Sequence, residues 1–170
     1  MTFKNQTIIE LKSTGDIVIR KSNEDTRMIT PEGYTIIYTK NTPTVLHPDG
    51  GISYPPSSFI NKNGKGLKNG NLQEVSSLKR KKEGNDIIKR DDGTVIVEDE
   101  KKSKKKWIKF PEGTEYLQEK GFVLIEKENL PFIRHGKDSG CIEYCGMKIS
   151  FKSMEEKYCF KIQIDNDTFI

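Results

Sequence analysis

The chain of 170 residues contains no alanine, a single tryptophan, two histidines and three cysteines. Alanine is the strongest helix former, so its absence argues against a helix bundle. Hydrophobic residues make up 33% of the chain, below the about 45–50% of ordinary globular sequences. A buried parallel sheet needs near-continuous apolar strands, and the scarcity of such runs argues against a wrapped α/β enzyme. No stretch approaches the ~18 apolar residues of a membrane-spanning helix. The opening residues Met1 to Gln6 carry no apolar signal core. Three cysteines, an odd number, do not form a closed disulfide framework. These absences lead us to expect a cytoplasmic setting with no membrane partner.

What is present is charge and turns. Charged residues make up 32%, with 29 basic against 25 acidic side chains and a net charge of +4. The basic excess is local, in Lys62 to Arg90 and in Lys101 to Lys109. Elsewhere, short β-branched or aromatic runs alternate with clusters of Gly, Pro, Asn and Asp, the signature of hairpins. Strands are expected at 17–20, 34–39, 94–98, 122–125, 147–152 and 158–164. The clearest period-2 alternation is near the end: Met147, Ile149 and Phe151 share one face, and so do Tyr158, Phe160, Ile162 and Ile164. Only Thr114 to Gln118 and Ser153 to Lys157 have room for a turn of helix.

The expected fold is all-β, with antiparallel hairpins in an open or stacked sheet. Residues 1–60 form an N-terminal hairpin region and residues 87–170 a C-terminal β region. Residues 61–86, rich in Lys, Gly and Asn, read as an irregular insertion or linker, because too few apolar side chains are there to offset ordering entropy.

A turn recurs along the chain: Thr30-Pro31-Glu32-Gly33, His47-Pro48-Asp49-Gly50, Arg90-Asp91-Asp92-Gly93-Thr94 and Phe110-Pro111-Glu112-Gly113-Thr114. An acidic residue precedes each glycine, and proline precedes three of the four acidic-glycine pairs or lies nearby. A carboxylate caps turn N–H groups, and glycine takes the left-handed position. Gly33, Gly50, Gly93 and Gly113 are therefore the expected structural turns. Gly15, Gly33 and Gly50 are 18 and 17 residues apart and Gly93 and Gly113 are 20 apart, spacings that suit one hairpin per unit.

Phe-Pro-Glu-Gly-Thr and Asp-Asp-Gly-Thr, each followed by an alternating strand, resemble the "PDGT" β-repeats of axonemal and centriolar scaffold proteins. One such family is the ciliary central-pair type of sperm-associated antigen seventeen. Another is the centriolar assembly type, whose C-terminal domain is a single open β-sheet. The uneven spacing and the Lys-rich interruption favour the central-pair type. The resemblance implies a structural, non-enzymatic module of the ciliary axoneme, with cytoskeletal proteins as partners.

Candidate chemistry is sparse. His47 lies in a turn and His135 in a polar stretch. His135, Cys141, Cys145 and Cys159 have no standard zinc spacing and read as half-buried thiols beside an ordinary histidine. Ser139, His135 and Asp138 fall within one short segment that nothing positions as a triad. Gly64-Lys65-Gly66 lacks the helix that follows a phosphate-binding loop. No catalytic residue, cofactor or metal site is therefore expected. The remaining candidates are partner-binding: Lys79, Arg80, Lys81 and Lys82 in one basic run, Lys104, Lys105 and Lys106 in another, and Phe151, Tyr158 and Phe160 on the apolar face. Such runs suit acidic protein surfaces, tubulin among them. The alternative is a nucleic-acid-binding β-domain using the same lysines, although Trp107 stands alone as a stacking aromatic.

Overall fold

The computed structural model describes residues 1–164 apart from 4–5, 23–24, 41, 55–57, 69–70, 75, 83, 100–104, 120, 137 and 155–156. Among these residues the chain is a pure antiparallel meander in two sheets. The first sheet holds β1 (Ile8–Leu11), β2 (Ile17–Arg20), β3 (Thr26–Ile29), β4 (Thr35–Thr39), β5 (Thr42–Leu46), β6 (Ile52–Tyr54), β7 (Ser58–Ile60), β8 (Lys65–Lys68) and β9 (Asn71–Glu74). The second holds β10 (Ser77–Lys82), β11 (Asn85–Arg90), β12 (Val95–Asp99), β13 (Lys106–Lys109), β14 (Glu115–Glu119), β15 (Phe122–Glu126), β16 (Phe132–Gly136), β17 (Ser139–Tyr144), β18 (Met147–Met154) and β19 (Lys157–Ile164). Within each sheet every strand pairs with its neighbours in sequence.

Two expectations are corrected. Thr114 to Gln118 is no helical turn: Glu115–Glu119 is β14, since Tyr116 and its neighbours alternate between buried and half-buried. Of Ser153 to Lys157, the described residues lie in β18 and β19. The 61–86 stretch is also not irregular. It contains β8, β9 and β10, each paired antiparallel with a neighbouring strand.

The turns share one form. The N–H of Gly15, Gly33, Gly50, Gly64, Gly93 and Gly113 each donates to the carbonyl three residues back. The residue that supplies that carbonyl in turn donates its own N–H to the carbonyl four residues on. All six glycines have φ between 84° and 97°. This is the three-residue hairpin loop, a type I turn closed by a left-handed glycine. The acidic residue before the glycine reaches over it: Asp49 Oδ1 accepts from Gly51 N–H at 2.8 Å, Asp92 Oδ1 from Thr94 N–H at 2.9 Å and Glu112 Oε1 from Thr114 N–H at 3.1 Å.

Cross-strand register builds the core. In the second sheet Ile88, Ile96, Ile108, Tyr116, Ile125, Ile133, Ile142 and Ile149 stand opposite one another in turn. In the first, Leu11, Ile17, Ile29, Thr35, Leu46, Ile52 and Ile60 make the matching row. Both rows face the interior and join one hydrophobic cluster, so the sheets form a sandwich. Contacts across it run in reverse order. Gly15 and Thr7 meet His135 and Tyr144, Thr35 meets Tyr116, and Gly50 and Asn61 meet Arg90. The meander thus folds over itself like a closing book, with its spine between β9 and β10.

Candidate functional site: the cationic strands and the sheet edge

The two lysine runs occupy different places in this sandwich. In the second run Lys105, Lys106 and Lys109 are flanked by glutamates on neighbouring strands. Lys105 Nζ lies 3.0 Å from Glu119, Lys106 Nζ 3.2 Å from Glu98 and Lys109 Nζ 2.8 Å from Glu115. Lys106 also donates to the Asp49 carbonyl across the sandwich at 2.8 Å. Lys104 lies outside the described residues.

The first run is β10, and all six of its residues are exposed. Leu78 retains 50% exposure. Among the described residues β10 pairs only with β11, so its other side is a free edge. Among the described residues Lys79, Arg80 and Lys82 make no ion pair, and Lys81 Nζ lies 3.8 Å from Asp86. Lys79 stands opposite Ile88 and so continues the isoleucine row with a charge. Lysine in an inward register position on an edge strand discourages uncontrolled sheet extension. The adjoining turn contributes Lys62, 3.6 Å from Glu98, and an open cleft of about 500 Å³ is walled by Lys62, Lys79, Arg80 and Lys81 with the carboxylates of Asp86 and Glu98 among them.

Phe151 does not lie on an open apolar face. It is 3% exposed and stacks edge-on against His135 with ring centroids 5.3 Å apart. The sandwich uses that face for its own core, which corrects the expectation of a partner-binding Phe151. The backbones of Tyr158 and Phe160 belong to β19; their side chains lie outside the described residues.

The buried cations are residues that sequence reasoning overlooked. Arg90 has a fully buried side chain. It donates to Gly50 O at 3.0 Å, Asn61 O at 2.8 Å, Thr94 Oγ1 at 2.7 Å and both Asp92 oxygens. One guanidinium therefore ties three turns from two sheets together. Burial alone would raise the Asp92 carboxyl, but the bonds from Arg90 and Thr94 hold it below its usual value. Arg27 does similar work from β3, donating to Thr114 Oγ1 at 2.9 Å and Glu112 Oε2 at 2.7 Å, and Lys127 donates to the same carboxylate. Burial pushes Glu112 up, yet the Arg27 and Lys127 bonds outweigh it and bring it down to about 2. Arg90 carried a readable signal, since it sits three residues before a repeat glycine; Arg27 carried none.

The histidines and cysteines do not converge. His47 Nε2 lies 2.6 Å from Ser53 Oγ, between the rings of Tyr34 and Phe59, and burial lowers its pKa. His135 is buried in β16, its nitrogens within 2.9 and 3.1 Å of the Gly136 and Gly15 carbonyls. Cys141 is buried, while Cys145 and Cys159 are exposed free thiols. Among the described residues no group of three His, Cys, Asp or Glu is placed to hold a metal ion, and no helix is long and apolar enough to cross a membrane.

No family model and no curated protein matches the chain. Several solved structures are similar in fold. The wild-type TCP10 domain of Danio rerio CPAP is 18% identical, with a TM-score of 0.45, over 97% of this chain and 99% of that one. The G-box domain of the microcephaly protein CPAP, whose structure suggests a role in centriole elongation, is 17% identical with a TM-score of 0.45, over 98% and 97% of the two chains. The Danio rerio domain in complex with a STIL peptide is 18% identical with a TM-score of 0.42, over 97% and 91%.

Proposed function

We propose that the chain is a non-enzymatic β-sheet scaffold module of the centriolar and ciliary cytoskeleton that holds protein partners. The finer assignment is the central apparatus of the axoneme, which the turn repeat and its uneven spacing favour. One observation carries the reading. The buried guanidinium groups of Arg27 and Arg90 and the half-buried carboxylates of Asp92 and Glu112 are committed to tying turns together, while four cations of β10 stand exposed at an edge with no partner strand among the described residues. Polarity inside serves the fold, and polarity at the edge is free for a partner.

The test is recovery of the tagged full chain from ciliated cells, with identification of the proteins that accompany it. Axonemal or centriolar proteins, tubulin included, are the expected company. Recovery with RNA or DNA, lost log-linearly as salt rises, would instead support the nucleic-acid alternative. Recovery with neither would remove the cytoskeletal reading.

A further inference from the structure

We infer that the free edge of β10 is a docking strand for an extended, acidic polypeptide, which adds to the second sheet beyond Ser77–Lys82. The inference rests on the scaffold reading and names the partner's chemistry.

Three observations converge. The first is hydrogen-bonding capacity. Asp91 N–H donates to Ser76 O at 2.9 Å, so Ser76 and Asp91 form a hydrogen-bonded pair of the β10–β11 ladder. In an antiparallel ladder such pairs alternate with non-bonded ones. With the register Ser77↔Arg90 through Lys82↔Asn85, Leu78, Arg80 and Lys82 bond to β11. Ser77, Lys79 and Lys81 turn their N–H and C=O groups to the open side. An incoming strand meets those groups in the spacing it needs.

The second is charge on both faces. Side chains alternate across a strand, so Lys79 and Lys81 project to one side of the sheet and Arg80 and Lys82 to the other. A ligand strand with carboxylates on only one face would answer half of them. A run of consecutive acidic residues answers all four. Lys62 adds a fifth cation beside the inner face.

The third is the contrast with the neighbouring lysines. Lys105, Lys106 and Lys109 already have glutamate partners within 3.2 Å. Among the described residues the β10 cations have only the 3.8 Å approach of Lys81 to Asp86. The fold neutralises one run and leaves the other for a ligand.

The experiment uses the full chain and three labelled probes: an octamer of L-glutamate, the same octamer N-methylated at every residue, and an eight-nucleotide single-stranded RNA. The methylated peptide keeps the charge and loses every backbone donor. We expect the glutamate peptide to bind at least tenfold more tightly than the methylated one and than the RNA. At saturation the amides of Ser77, Lys79 and Lys81 should gain hydrogen-exchange protection. The double variant Lys79→Glu, Lys81→Glu should lose at least tenfold in affinity while its thermal unfolding stays unchanged. A methylated peptide that binds within tenfold of the parent, tighter binding of RNA, or no new protection at the three amides would each overturn the inference. The protection measurement needs no variant and stands if the double variant misfolds. Failure here alongside recovery of cytoskeletal proteins from cells would overturn the docking strand alone; the reverse would overturn only the cellular assignment.

Discussion

The two lysine runs are nearly the same as sequence and opposite as structure. Ser77–Lys82 and Lys105 to Lys109 are both short, basic and strand-forming. In β13 each described lysine faces a glutamate on β12 or β14. In β10 one flank has β11 and the other has no strand among the described residues. Electrostatic meaning therefore comes from the neighbouring strand and not from the run itself. A strand inside a sheet has two neighbours to supply counter-charge, whereas an edge strand has one. The same lesson holds for the arginines and the turn glycines, where one local motif meets different surroundings.

The largest difference is between Arg90 and Arg80. Arg90→Met removes a buried cation from Asp92 and from two turn carbonyls, and should destabilise the fold by about 3–5 kcal/mol. Arg80→Met, on an exposed strand, should change stability by less than about 0.5 kcal/mol. Chemical denaturation of both variants measures the gap, and equal effects would break the comparison.

Gly50 and Gly113 come next. Both have strongly positive φ, at 97° and 93°. A Cβ on Gly50 would lie 2.5 Å from Ile96 Cδ1, whereas one on Gly113 meets nothing within 4 Å. Gly113→Ala should cost about 1–2 kcal/mol for backbone strain alone. Gly50→Ala should cost about 2–4 kcal/mol, because the Ile96 side chain must also shift. Thermal unfolding of the two variants reads the difference.

Glu112 sharpens the picture through pH. Its folded pKa of about 2 lies below the ordinary value of 4.5. A depressed carboxyl stabilises the fold above its unfolded pKa, and that stability is lost as pH falls through the folded one. We expect about 1–2 kcal/mol, discounted for solvent screening, to disappear between about pH 5 and pH 2. Glu112→Gln should flatten that part of the stability curve. An unchanged slope would show that Arg27 and Lys127 do not hold the carboxylate.

The smallest effect separates the lysines themselves. Lys109→Ala should cost about 0.2–1 kcal/mol through its Glu115 pair, and Lys79→Ala essentially nothing.

Much of the fold was legible in the sequence. Period-2 alternation located β18, and short β-branched or aromatic runs bounded by turn residues located β2 and β15. The stretch 61–86 was not legible, since its few apolar residues stand among runs of Lys, Gly and Asn and give no period-2 signal. Its turn is also disguised: Asn61 Oδ1 accepts from the N–H groups of Asn63 and Lys65, standing in for the carboxylate of the other turns. The closure of one sheet on the other left no periodic signal either. It shows only in pairs far apart in sequence, such as Thr35 with Tyr116 and Gly50 with Arg90. For that reason Phe151 read as a surface for partners when it belongs to the core, and the exposed lysines of β10 could not be told from the paired lysines of β13.

The central claim is that β10 is an open edge with one committed and one free side. Residue-resolved hydrogen exchange on the isolated chain tests it most directly. The account predicts a two-residue alternation along β10, with Leu78, Arg80 and Lys82 protected and Ser77, Lys79 and Lys81 exchanging freely. Uniform protection of all six amides would contradict it, because some part of the chain would then already cover the edge.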